Sequence, residues 1–366
     1  MSSSSNSNNN TSSIPPPTMK IPTPQQSSTQ QREEALLSAP KGTRCRSLFI
    51  GCQYYRTKGE LRGSVNDVFT TMKLLRALGF DLAMTKVLVD DRNFIARTGN
   101  PDRRTIEKEL NWLIDGAKPG DHLFLHFAGH ATQVPQQQAS HHQSRQQERN
   151  NSSFCDAIVP VDYQKSGYIT DDFLFENFFT KVPPGCRLTC VFDTAIYSAS
   201  FGSDLEFEWK FEEDLARFKQ TKRSFTRPVE ERDAKLSRFL SSVNNTNGNL
   251  PDILVFSSWR DAMSMPAPEG QDIADYTFHF ATKHQHPGRE VSGGLGQSLV
   301  SAIASKIGRD GKPHVNFDEL LMLMQKGLMN ELGFRDRVVN VSSTKKLDFD
   351  AGFSIFGALP ALSPSS

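Results

Sequence analysis

The sequence predicts an α/β protein in which helices cover both faces of a central, mostly parallel sheet. Short apolar runs bounded by turn residues recur along the chain, which is typical of strands buried on both faces. Between them lie stretches whose apolar residues recur every three or four positions, as on one face of a helix. Strand and helix alternate, and this order favours right-handed crossovers between parallel strands.

The first half of the chain carries three predicted strands and two predicted helices. The carboxylate of Asp102 is well placed to cap the second helix. In order, the elements are a strand at residues 46–51, a polar loop at 52–62, a helix from Ser64 with Val65, Val68, Met72 and Leu75 facing inward, a strand at 84–89, a helix with Ile106, Leu110 and Leu113 facing inward, and a strand at 123–127.

The second half repeats the pattern less regularly. Residues 206–238 are dense in charges of both signs, which is typical of a solvated helix or an exposed connection. The other predicted elements are a helix carrying Phe173, Phe178 and Phe179, a strand at residues 187–192 that ends at Asp193, a strand at 253–258, helices at 293–303 and 316–332, and a strand at 353–356 that closes the sheet.

Composition separates a tail from one folded domain. Residues 1–43 are rich in Ser, Asn, Pro and Gln, and such a segment buries too little apolar surface to offset its ordering entropy, so we expect disorder there. One domain is predicted over residues 44–360, with insertions near 134–153 and 206–250. The adjacent His141 and His142 fall in the first insertion, where a solvated pair is favoured over a metal site.

Charge and cysteine content exclude several classes of protein. A formal charge of +1 gives no reason to expect nucleic-acid or membrane partners. The five cysteines have no spacing typical of a disulfide framework or a zinc site. The N-terminus does not read as a secretory signal, and no apolar run is long enough to span a membrane. We therefore expect a soluble, cytoplasmic protein, with the nucleus as the alternative location.

His130 is the first candidate for chemistry. It follows the third predicted strand and the two small residues Ala128 and Gly129. In open α/β sheets the ligand sites lie beyond the carboxyl ends of the strands, so a histidine there can reach a substrate. The alternative is an ordinary loop histidine.

Several ordered motifs resemble one family, the metacaspases, which are caspase-like cysteine peptidases. The resemblance covers roughly residues 45–357. It implies the caspase-like three-layer fold, and a thiolate that attacks a peptide carbonyl while a histidine moves protons. The motifs that carry it are Tyr54-Tyr55, Gly59-Glu60-Leu61-Arg62-Gly63, Asn66-Asp67-Val68, His126-Phe127-Ala128-Gly129-His130, Pro160-Val161-Asp162, Ile169-Thr170-Asp171-Asp172, Phe192-Asp193, residues 253–261 and Ser292-Gly293-Gly294.

The resemblance assigns His130 as the base but leaves the nucleophile position without a thiol. Alignment from Asp193 places Ala195 where the family has its cysteine. One alternative is that another cysteine of the chain serves. A second is that Thr194, Ser198 or Ser200 acts as a hydroxyl nucleophile, although an alcohol is much harder to ionise than a thiol.

The resemblance also implies a pocket for an Arg or Lys side chain. Asp67 and Asp193 stand at its two acidic positions, and a carboxylate pair suits a guanidinium. Ser64 stands where the family has Cys, and Ala128 where it has Ser. The alternative is that Asp67 caps or faces out of its helix, and that Asp193 holds the nucleophile loop.

No cofactor is required, but many metacaspases are activated by calcium. The resemblance places Asp171 and Asp172 at two ligand positions, with Asp204 as a further candidate at shifted spacing. Cys155 falls at a third position, and a soft thiol is a poor ligand for a hard cation. A weakened or absent site is expected. The alternative is that Asp171 and Asp172 only cap a helix.

Together these observations predict an inactive metacaspase homologue that binds or regulates Arg/Lys-containing partners or an active relative. Two alternatives remain: a residual endopeptidase using His130 with a nearby hydroxyl, and a purely structural scaffold. Active relatives cleave themselves after basic residues in the charged connection. Without a nucleophile, the candidates Lys210, Lys219, Lys222 and Arg223 would stay uncut or be cut by an active relative.

Overall fold

In the part of the chain that the structure describes, eight strands form the central sheet, in the order β2-β1-β3-β7-β10-β11-β8-β9. The first five are parallel, and β11, β8 and β9 continue the sheet in antiparallel pairs. A computed structural model describes residues 44–135, 154–194, 205, 207–212, 216–220, 251–260, 294–307, 314–332 and 337–355. The strands are β1 Cys45–Gly51, β2 Thr85–Val89, β3 His122–Gly129, β7 Arg187–Thr194, β8 Phe207–Glu212, β9 Arg217–Gln220, β10 Asp252–Arg260 and β11 Arg337–Ser343.

Helices pack on both faces of this sheet, as the sequence predicts. Leu48 and Ile50 of β1 point into one apolar cluster, which includes helix residues Ile106 and Leu174. Phe49, between them, points into the other, with Val68 and Leu299. The helices are α1 Ser64–Ala77, α2 Arg103–Ile114, α3 Tyr163–Ser166, α4 Asp171–Asn177, α5 Leu295–Ala304 and α6 Phe317–Lys326, with a 3-10 turn at Phe179–Lys181 and a π turn at Gly327–Glu331.

A second, smaller sheet follows directly after His130. Its strands β4 Ala131–Pro135, β5 Phe154–Ile158 and β6 Ile169–Thr170 pair antiparallel. Helix α4 begins at the end of β6, and Thr170 caps it by accepting a hydrogen bond from the Phe173 amide. Asp171 and Asp172 therefore lie in the first turn of α4 and are not its cap.

Two predictions for the second half of the chain are wrong. Residues 353–355 form no strand, and the place next to β10 is taken by Arg337–Ser343. The charged connection contains the β8–β9 hairpin, in a stretch expected to be a solvated helix or an exposed loop. Phe207, Trp209 and Phe211 alternate with charged residues, and this period of two fits a strand. The many charged residues of this stretch made the alternation hard to recognise in the sequence.

The tail of residues 1–43, the insertion of residues 136–153 with His141 and His142, and residues 195–204 lie outside the described residues. Within the described ranges, the helices are all too short or too polar to cross a membrane.

Candidate active site

His130 lies immediately after β3, in a buried position where 2% of its surface is exposed. Its ring Nε2 is 2.8 Å from the carbonyl oxygen of Gly59. A carbonyl oxygen only accepts, so Nε2 carries the hydrogen and Nδ1 is the basic nitrogen. Burial lowers the pKa of His130 to about 4, against a smaller opposing effect of the Gly59 carbonyl. The imidazole is therefore neutral near pH 7, which is the state that a general base requires.

Tyr54 holds the backbone at His130. Its hydroxyl accepts a hydrogen bond from the His130 amide at 2.9 Å and donates one to the Val159 carbonyl at 2.6 Å. The two rings lie 4.7 Å apart. Tyr54 has a positive φ of 53°, a conformation that costs a non-glycine residue energy and is held by its surroundings. The sequence signalled neither this role nor that of Gly59, because backbone carbonyls and φ angles leave no trace in residue type.

Asp193 lies at the end of β7, fully buried, with both carboxylate oxygens engaged. They accept hydrogen bonds from the Leu295 amide at 3.0 Å and the Gly296 amide at 2.8 Å, at the N-terminus of α5. A carboxylate is favoured there by the helix dipole. Burial raises the pKa of the Asp193 carboxyl, while the two amides and Arg337 act in the opposite direction.

Of the other three pocket candidates, Ala128 lies directly beside Asp193. Ala128 pairs with Asp193 across the β3–β7 register and with Gly51 across β1–β3, and it is fully buried. Ser64 and Asp67 lie buried in the first turn of α1, so Asp67 does not face solvent. The Ser64 hydroxyl has no hydrogen-bond partner among the described residues.

Gly296 allows a close approach of three polar groups. A Cβ placed on this residue would lie 3.0 Å from Asp193 Oδ2, 3.2 Å from His126 Nε2 and 3.5 Å from Thr71 Oγ1. Thr71 is one helical turn after Asp67, so α1 and α5 meet beside the Asp193 carboxylate. Only a residue without a side chain fits in this space without displacing a neighbour.

His126 is a further buried residue of this region, and the sequence predicts no separate role for it. It is fully buried, and in the described part of the chain neither ring nitrogen has a hydrogen-bond partner. Burial lowers its pKa to about 3. Its position two residues before Ala128 on β3 places both side chains on the same face of the sheet, and that spacing was readable from the sequence.

The calcium-site candidates Cys155, Asp171 and Asp172 come together in the structure. Their ligand atoms all lie within 4.8 Å of one another. The Cys155 thiol donates a hydrogen bond to Asp172 at 3.3 Å. Asp204 lies outside the described residues. A thiol among the ligands does not fit calcium, which takes six to eight oxygen ligands.

The nucleophile candidates Ala195, Ser198 and Ser200 lie outside the described residues, while Thr194 is buried at the end of β7. The β3–β7 pairing ends at Gly129 and Thr194, one residue before His130 and one before Ala195. Lys222 and Arg223 are also outside, whereas Lys210 and Lys219 lie opposite each other in the β8–β9 hairpin.

All five cysteines of the chain lie in the described ranges, where they are buried and form no disulfide bond with one another. Burial raises the pKa of the Cys45 thiol and raises those of Cys52 and Cys190 well above the usual range. It raises the pKa of Cys186 to about 11. None of these four thiols is set up to ionise near pH 7, as a nucleophilic cysteine must be.

Comparison with known proteins places this arrangement in context. Residues 45–203 match the family model described as metacaspase, peptidase C14 domain. Metacaspase-2 of Trypanosoma brucei brucei is 29% identical over 314 residues, which are 86% of this chain and 77% of that protein. Metacaspase-3 of the same organism is 40% identical over 152 residues, 42% of this chain and 40% of that protein. Inactive metacaspase-4, also from that organism, is 27% identical over 321 residues, 88% of this chain and 77% of that protein.

Proposed function

We propose that the chain is a metacaspase without peptidase activity that binds Arg- or Lys-containing segments of a partner protein. The family model over residues 45–203 and the similarity to metacaspase-2 support the family assignment. The observation that carries this proposal is the residue at the nucleophile position. The chain reads Asp193-Thr194-Ala195, and a methyl group cannot attack a carbonyl. The base is kept in His130, so the loss concerns one half of the catalytic pair.

The remaining cysteines give no replacement for the thiol. Cys52 lies close to the end of β3, with its Cβ 3.2 Å from where a Cβ on Gly129 would be. Its thiol is fully buried, and both burial and the charge of Asp90 raise its pKa. A thiolate is therefore strongly disfavoured at this position, and a neutral buried thiol behaves as a small apolar group.

The two acidic residues at the pocket positions support a binding role. Asp67 and Asp193 keep the two carboxylates that would face a basic side chain, and a guanidinium engages such groups through charge-assisted hydrogen bonds. Asp193 also accepts the two amides of α5, so its carboxylate is held in one orientation before any ligand arrives. One partner that would present such basic residues is an active relative, which is cleaved after Arg or Lys.

The similarity to the relative named inactive metacaspase-4 also supports the absence of peptidase activity. A chain of this family bearing that name is similar to this one over 88% of its length. By analogy, this chain would keep the folded domain and lack catalytic activity, because it has no thiol at the nucleophile position.

Binding of basic peptides is tested with fluorescein-labelled peptides that differ only in one residue, Arg, Lys or norleucine, followed by anisotropy. The Arg and Lys peptides are expected to bind the full chain and the norleucine peptide is not. Asp67→Asn is expected to abolish the difference, while Asp115→Asn, on an exposed residue at the end of α2, serves as the matched control. Equal binding of all three peptides would favour a structural scaffold over a basic-residue pocket.

A further inference from the structure

The cluster of Cys155, Asp171 and Asp172 brings one sulfur and two carboxylates to a single point beside the small sheet. Cys155 lies on β5, and the two aspartates begin α4. Cys155 and Asp171 are buried, and Asp172 is half-buried. Strand β5 also pairs with β6, which directly precedes α4, so the arrangement depends on the folded small sheet.

The spacing within this cluster already suits a bound ion. Sγ of Cys155 and Oδ2 of Asp172 are 3.3 Å apart. Two ligands of a tetrahedral zinc ion, with bonds near 2.3 Å to sulfur and 2.1 Å to oxygen, are separated by about 3.5 Å. All three ligand atoms lie within 4.8 Å of one another, so no pair is more than about 1.3 Å beyond that separation.

A separate observation points to the same place. Thr132 pairs with Ala157, and Val134 with Cys155, so Thr132 and Cys155 share one face of the β4–β5 hairpin. The Thr132 hydroxyl is buried, and within the described ranges it has no hydrogen-bond partner. A cation that keeps water in its open coordination position would supply a donor for such an oxygen.

We propose that Cys155, Asp171 and Asp172 form a site for a thiophilic divalent cation of the zinc class in place of calcium. Thiolate ligands select zinc and similar ions, whereas calcium is bound by oxygen alone. On binding, the ion takes the place of the thiol proton that Cys155 now donates to Asp172, and that proton leaves to solvent. The ion would tie β5 to the start of α4, close to the segment that follows His130.

Cobalt titration of the full, reduced chain tests the proposal, because cobalt bound to a cysteine gives a thiolate-to-metal charge-transfer absorption. One equivalent is expected to produce this absorption, zinc to displace it, and millimolar calcium to leave it unchanged. Cys155→Ser is expected to lose it. Cys186→Ser is the matched control, since a serine there can keep the hydrogen bond to the Lys118 carbonyl.

Exchange of the soft ligand for a hard one gives a second measurement. Cys155→Asp is expected to lose the cobalt–thiolate absorption and to gain a calcium-dependent rise in Tm that the wild type lacks. The proposal is overturned if the folded wild type shows no such absorption, if calcium abolishes it, or if it survives in Cys155→Ser. Should neither Cys155 variant fold, Asp172→Asn is expected to weaken cobalt binding, and unchanged binding would equally overturn the proposal.

Discussion

The imidazole of His130 donates its Nε2 hydrogen to the carbonyl oxygen of Gly59, 2.8 Å away. This bond fixes the tautomer and leaves Nδ1 as the nitrogen that can take a proton. Gly59 belongs to the loop after β1, and His130 to the end of β3, so two neighbouring strands set the orientation of the base. Under the proposed function, His130 would be a base held in place in a chain that has Ala195 at the nucleophile position.

Tyr54→Phe is expected to lower the free energy of unfolding by about 1–3 kcal/mol. The change removes the acceptor of the buried His130 amide and the donor to the Val159 carbonyl. Urea denaturation measures the effect. Tyr55→Phe is the control, because Tyr55 is 60% exposed. Equal stability of the two variants would contradict the role given to the Tyr54 hydroxyl.

Gly296→Ala is expected to destabilise the protein by about 1–3 kcal/mol, because its Cβ would press on a well-packed core. The atoms that it would meet are Asp193 Oδ2 at 3.0 Å and His126 Nε2 at 3.2 Å. Ser301→Ala, on an exposed position of the same helix, controls for helix propensity. Thermal or urea unfolding distinguishes them, and an unchanged Gly296 variant would show that α5 is free to move away from Asp193.

Asp193→Asn is expected to cost about 1.5–3 kcal/mol of stability, since it replaces a carboxylate that accepts two amide hydrogens with an amide that has one acceptor oxygen. Binding of the Arg peptide should fall as well. Asp67→Asn is expected to reduce that binding with a smaller loss of stability. If Asp193→Asn weakens neither property, the carboxylate neither holds α5 nor contributes to the pocket.

Stability is expected to fall in acid because of two buried histidines. Burial lowers the pKa of His126 to about 3 and that of His130 to about 4. An unfolded histidine titrates near pH 6.5, so below that pH the unfolded chain binds more protons and is favoured. The stability linked to these two neutral histidines is fully present above about pH 6.5. It is lost as the pH falls towards the pKa values of the folded state.

His126→Phe isolates one of these contributions. Removal of a buried titrating group should reduce the loss of unfolding free energy between about pH 7 and about pH 3 by several kcal/mol. Urea unfolding at a series of pH values measures it. His314→Phe, at an exposed histidine, is the control. An acid sensitivity that is the same in both variants would mean that His126 is not the residue that titrates.

The position of His130 could be predicted because a buried apolar strand followed by two small residues has a readable pattern. The hydrogen-bond partners of His130 could not be predicted. Gly59 acts through its backbone carbonyl, and nothing in the residue type shows that the Tyr54 hydroxyl reaches the His130 amide. The β8–β9 hairpin was missed because the charges of residues 206–238 outweighed an alternation that is visible at Phe207, Trp209 and Phe211. A strand at residues 337–343 was missed because neighbouring apolar and polar positions give it no simple period.

Hydrolysis of a fluorogenic Arg and Lys peptide panel, with and without millimolar calcium, tests the central claim most directly. Wild type, Ala195→Cys, and each of these combined with His130→Ala are compared. We expect no hydrolysis by the wild type, and hydrolysis by Ala195→Cys that the added His130→Ala change abolishes. Wild-type hydrolysis that is lost with His130→Ala would contradict the account and point to a hydroxyl nucleophile such as Ser198 or Ser200.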